Sequence, residues 1–98
     1  MESYAAEIKS ILQNIILFKM LIKNGKLSEV LDRKVAFIEN CVSALNEESR
    51  VLIQAIYYDG IKVARLARAY YCNRVTVYKK INGIVNRIEK AFAQENFG

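Results

Sequence analysis

The side chains in this sequence best suited to chemistry are cations. Between Lys62 and Lys90 stand Lys62, Arg65, Arg68, Arg74, Lys79, Lys80, Arg87 and Lys90 against one acid, Glu89, a local net charge of +7. The excess is local, because the whole 98-residue chain carries only +5. Such a concentration suits a polyanion; the plainer alternative is a solvated basic helix face. Among these cations lie Thr76, Tyr78 and Asn82, side chains able to hydrogen-bond phosphates and base edges.

Other chemistries lack their residues. There is no histidine, and the two cysteines, Cys41 and Cys72, lie far apart, so the usual Cys/His zinc sets are ruled out within a single chain. No glycine-rich phosphate loop and no inward-facing pair of acids offers a general base or metal site, so the sequence predicts neither an enzyme nor a cofactor. Both cysteines fall on apolar stripes and are expected to be buried free thiols in a reducing cytoplasm. Met1-Glu2 opens polar and acidic, unlike a signal peptide. The most apolar run, Ile15 to Ile22, is interrupted by Lys19 and falls short of the ~20 residues of a membrane span. A cytoplasmic location with no membrane partner is the expectation.

The elements that must position the cations are helices. Hydrophobic residues make up 53% of the chain, there is no proline, and three-four spacings run without interruption. This predicts an all-α fold. About five helices are expected in one compact domain: an N-terminal helical hairpin over residues 1–45, then a three-helix unit over residues 46–98. The first helix is predicted from about Ser3 to Lys23, ending at Asn24-Gly25. Its stripe of Ile8, Ile11, Ile15, Phe18 and Ile22 is widened by Leu12, Ile16, Leu17, Met20 and Leu21 until little of its second half is polar. A helix of this kind must be covered on more than one side. The stripe is therefore a candidate dimer or partner interface, or else the helix is buried wholly within the monomer.

Ser28 is a predicted N-cap for a second helix with Leu31, Val35, Ile38, Val42 and Leu45 inward and Arg33, Lys34, Glu39 and Asn40 solvated. Asn46 caps a third, with Val51, Leu52, Ala55 and Ile56 as its core face, running to an Asp59-Gly60 turn. A fourth starts near Lys62 or Val63, with Val63, Leu66, Ala67 and Tyr70 inward. The fifth runs from Arg74 to about Gln94, capped by Asn73 and held by Val77, Ile81, Ile84, Val85 and Ile88. Gly83 within it suggests the close approach of a backbone or another helix, and Glu95 to Gly98 reads as a frayed tail.

The fourth and fifth helices flank a break at Tyr71 to Asn73. A short helix, a tight turn and a helix with basic residues in its first two turns is the layout of a helix-turn-helix. Such a pair wants a small residue at its crossing, which Ala67 supplies. It also wants apolar anchors before, in and after the turn, the places of Leu66, Cys72 and Val77.

At these residues the sequence resembles region four of bacterial sigma factors, over about Leu45 to Phe92. LNEESRVLIQAIYYDG from Leu45 to Gly60 is similar to that family's acidic helix start and Tyr-x-Asp-Gly-like turn. Leu66-Ala67 is similar to its Ile/Leu-Ala pair, and Thr76-Val77 through Ile81 to its Thr-Val-x-x-x-Leu recognition helix. The hairpin with Leu31 to Lys34 is also similar to small phage late-gene regulators of the RinA/ArpU type. Three positions depart from the pattern: Lys62 replaces a Ser/Thr cap, Arg65 a frequent Glu, and Tyr71 the Gly, Asn or Asp of many such turns. If Tyr71 has φ > 0, it is strained.

The resemblance implies a sequence-specific DNA-binding transcriptional regulator of phage or prophage origin, reading a major groove with the helix from Arg74. Carried over, the family's contacts fall on Arg74, Val75, Tyr78 and Lys79; helix geometry adds Thr76 and Asn82 as base-contact candidates. Lys62, Arg65, Arg68, Lys80 and Arg87 are phosphate-contact candidates. The implied partners are double-stranded DNA, RNA polymerase and a second copy of the chain. Two alternatives remain open: a helical adaptor that keeps the fold without binding DNA, and a small terminase-like DNA-packaging protein.

Overall fold

The computed structural model describes residues 4–95 and Phe97. Among them the fold is all-α, with six helices: α1 (Ala5–Gln13), α2 (Ile15–Lys23), α3 (Glu29–Ser43), α4 (Glu47–Ile53), α5 (Val63–Ala69) and α6 (Arg74–Gln94). The molecule measures 42 × 32 × 22 Å, so its thinnest dimension is two helix diameters of ~10–12 Å each. No helix of the described residues is long and apolar enough to cross a membrane.

Polar caps start three of these helices. Ser28 Oγ accepts the Leu31 N–H at 3.3 Å, Asn46 Oδ1 the Ser49 N–H at 2.9 Å, and Asn73 Oδ1 the Thr76 N–H at 2.9 Å. Each satisfies an N–H that the helix leaves without a partner. Acids at Glu29, Asp32, Glu47 and Glu48 occupy the first turns of α3 and α4, where the helix dipole favours them.

The predicted first helix is two helices. At Asn14 the backbone departs to φ −112°, ψ 17°, and the Asn14 side-chain amide donates to the Ser10 carbonyl at 2.8 Å. A short amide that bonds its own backbone competes with helix propagation. The Phe18 N–H still bonds the Asn14 carbonyl at 2.9 Å, so α2 follows directly. The expected start at Ser3 lies outside the described residues, and α1 begins after Tyr4. The end of α4 also departs from a plain helix, widening into a π turn over Gln54–Tyr58 before Gly60.

The core is one cluster running through both parts of the chain. Ile8, Leu12 and Ile15 of the first helices meet Val35 and Ile38 of α3, Ile53 of α4, and Val77, Val85 and Ile88 of α6, all almost fully buried. Removing such a side chain to alanine typically costs 2–5 kcal/mol. Ile8, Ile11 and Ile15 are therefore unavailable to a partner, and Phe18 and Ile22 are half-buried against the same core. The stripe proposed as an interface is the inward face instead. On α2 the large apolar residues left outside are Ile16, Leu17 and Met20, exposed to 47, 52 and 58%.

Several inward assignments shift. Ile53 is buried and Val51 exposed, because both fit the spacing in the nearly unbroken apolar run from Val51 to Ile56 and packing chooses between them. Tyr70 is more than half exposed, since α5 ends at Ala69 and Tyr70 leaves its inward face. Cys41 and Cys72 are half-buried free thiols and not fully covered ones.

Lys34 is drawn over the Phe92 and Phe97 rings and bonds Glu7 at 2.6 Å, so it is not a solvated side chain. The tail is anchored at one point: Phe97 packs on Phe92 and Phe37 with ring centroids 4.8 and 5.6 Å away, and its carbonyl accepts from Arg33 at 2.9 Å. Asn96 and Gly98 lie outside the described residues.

Candidate nucleic-acid interface

α5 and α6 stand on either side of a four-residue break, Tyr70 to Asn73, and the anchors fall where the sequence places them. Leu66, Ala67 and Val77 are buried, and Cys72 packs on the core between them. Lys62 precedes α5 without a side-chain cap bond, as follows from a side chain that cannot accept one.

The end of α5 fixes the turn. The Tyr71 N–H bonds the Arg68 carbonyl at 3.2 Å and the Cys72 N–H the Ala67 carbonyl at 2.9 Å. This pair of bonds is the Schellman arrangement, which puts its C′ residue in the left-handed region. That residue is Tyr71, with φ 54°. The expected strain is present, and a left-handed non-glycine residue costs about 1–3 kcal/mol. Asn73 then caps α6, and its Oδ1 also accepts the Thr76 hydroxyl at 3.1 Å.

Two side-chain bonds set how α6 faces solvent. On one flank, Lys9 Nζ of α1 donates to Asn82 Oδ1 at 2.8 Å. On the other, Lys80 pairs with Glu48 of α4 at 3.3 Å. At ~100° per residue, the row opposite the buried Val77, Ile81, Ile84 and Ile88 is Val75, Lys79, Gly83 and Asn86, all exposed. Gly83 and Asn86 were not expected on this surface. The signal that could have found them is their spacing, Gly83 four residues after Lys79 and Asn86 three after Gly83.

The base-contact candidates therefore divide. Arg74, Val75 and Lys79 are exposed and unengaged at the start of α6. Tyr78 is exposed along one side and lines a groove with Lys9, Gln13, Ile56 and Tyr57. Thr76 is half-buried with its hydroxyl committed to the cap, and Asn82 is held by Lys9.

Among the phosphate candidates, Lys62, Arg65, Arg68 and Arg87 are exposed and make no ion pair with a described residue, whereas Lys80 is paired. That pair is solvated on both sides and, like most surface pairs, is worth little, so a phosphate can displace Glu48. A shallow hollow beside the turn is lined by Arg68, Cys72, Asn73 and Arg74, joining the last turn of α5 to the first of α6.

No protein-family model, curated protein or solved structure matches this chain.

Proposed function

We propose that this protein is a sequence-specific DNA-binding regulator of transcription that lays the start of α6 in a major groove. The observation that carries the reading is the outward row of Val75, Lys79, Gly83 and Asn86, together with the exposed cations Arg65, Arg68 and Arg74, which make no ion pair with a described residue. A capped helix that presents cations and small side chains in its first turns has the form required for base-edge contact. In this reading Arg74 and Lys79 reach guanine or phosphate, Val75 meets a thymine methyl, and Tyr78 works from the groove edge. Lys62, Arg65 and Arg68 position the duplex without specifying its sequence. The resemblance to sigma region four and to phage late-gene regulators supports a transcriptional role, with RNA polymerase and a second copy of the chain as proposed partners.

Arg74→Ala combined with Lys79→Ala is expected to weaken binding to a selected duplex by ~2–5 kcal/mol, from two contacts of ~1–3 kcal/mol each. Footprinting in which the double variant protects DNA like the wild type would reject these contacts.

A second reading, a protein adaptor without DNA binding, is favoured by the exposed Ile16, Leu17 and Met20 on α2. Salt separates the two. If Lys62, Arg65, Arg68, Arg74 and Lys79 all meet phosphates, log K should fall with log salt at a slope of roughly −4 to −5. An adaptor would show negligible affinity for duplex even at low salt.

A further inference from the structure

Among the described residues three helical ends close with a left-handed residue, and only two of them are glycine. After α2 it is Gly25, with φ 65°, where the Gly25 N–H bonds the Ile22 carbonyl and the Lys26 N–H the Leu21 carbonyl. After the π turn it is Gly60, with φ 69°, where the Ile61 N–H reaches back to the Ala55 carbonyl. Nothing lies within 4 Å of where a Cβ would stand at either glycine. Their backbone angle alone, and not crowding, makes glycine the suitable residue there.

After α5 the same demand falls on Tyr71, with φ 54°. Its side chain gives the fold nothing in exchange for that angle. It is 98% exposed, packs on no part of the core, and takes no hydrogen bond or ring contact with a described residue. A large aromatic ring standing in water at a position that suits glycine is unexplained by folding. Strain of this kind concentrates where a residue serves a ligand.

The surroundings say which ligand. In sequence Tyr71 stands three residues after Arg68 and three before Arg74, both exposed, without an ion pair among the described residues, and lining one hollow beside the turn. No acid stands between Lys62 and Lys90 except Glu89. An exposed phenol on the turn that joins these two arginines suits the sugar–phosphate backbone: the hydroxyl donates to a phosphate oxygen while the ring lies along the sugar.

Resting on the duplex-DNA reading above, we infer that Tyr71 is a backbone-contact residue that clamps the strand bordering the groove α6 enters. Tyr71 positions the duplex and does not read its sequence. Its contact is therefore the same on any duplex.

The test uses Tyr71→Gly and Tyr71→Asn, both of which tolerate a positive φ, in the full chain. Binding is measured on a selected duplex and on a scrambled duplex of equal length, with melting temperature recorded alongside. Both variants should bind each duplex about tenfold more weakly, as loss of a hydrogen bond to a charged group implies, while melting at or above the wild-type temperature. Wild-type-like binding by the variants overturns the inference and leaves the DNA reading standing. A lower melting temperature in both overturns it too, because the ring would then have a folding role. A wild type that binds neither duplex removes the inference together with the reading it rests on.

Discussion

At Gly83 a methyl group would meet no atom within 4 Å, so the close approach suggested by the sequence does not occur within this chain. Gly83→Ala is therefore expected to stabilise α6 by up to about 1 kcal/mol, read as a higher melting temperature. If α6 enters a groove, the same substitution on the outward row should weaken DNA binding while it strengthens the fold. Tyr58 offers a pH signature. Burial, and then the charge of Glu39, push its phenol up from 10.0 to about 12, and burial raises Tyr57 as well. The folded state thus holds a proton that the unfolded chain has released above pH 10. Stability from this group is complete below about pH 10 and is lost as pH rises towards 12. An alkaline phenolate titration should show a late-ionising tyrosine that Tyr58→Phe removes. Neither residue was legible in this respect beforehand: Gly83 has the same one-letter signature whether crowded or open, and Tyr58 depends on α2 and α3 arriving from elsewhere in the chain.

Among the elements, the boundaries readable in the sequence are those written in local chemistry. Ser28, Asn46 and Asn73 each accept the N–H three residues on, and Gly25 and Gly60 each take a positive φ. These depend on residue type alone. The features that escaped are settled by competition. Asn14 breaks a helix that its apolar neighbours would continue, because its amide takes the Ser10 carbonyl. Val51 and Ile53 both fit an inward stripe until neighbouring helices choose Ile53. Phe97 looked free until Phe37 and Phe92 were brought beside it. The candidate site shows the same division: Arg74 and Lys79 were legible as exposed cations, while the diversion of Thr76 to the cap and Asn82 to Lys9 needed the packed structure. Since α6 starts on one side-chain cap, Asn73→Ala should cost about 1 kcal/mol. Circular dichroism melts measure that loss, and Asn73→Asp should recover most of it, because Asp is an equally good cap.

The whole molecule is thin, 22 Å across its smallest dimension, and that shape explains why α2 is incompletely covered. A helix apolar nearly all round needs neighbours on several sides. α3 and the π turn cover its Phe18 and Ile22 side, and no described element reaches Ile16, Leu17 and Met20. Adjacent exposed apolar side chains on one helix are the kind of surface that a partner covers. For the DNA-binding regulator proposed above, a second copy would double the phosphate contacts, and a self-complementary contact between two α2 helices would supply it. The expected outcome is a wild-type particle of about twice the 11.2 kDa chain mass in light scattering. Leu17→Glu with Met20→Glu should reduce it to the single-chain mass while leaving stability within about 0.5 kcal/mol per site, because neither side chain is in the core. Loss of the dimer should also reduce the salt dependence of DNA binding, since each duplex would then meet one set of cations and release fewer counterions. A wild type that remains a single chain at high concentration would remove the second copy from this face and favour the adaptor reading.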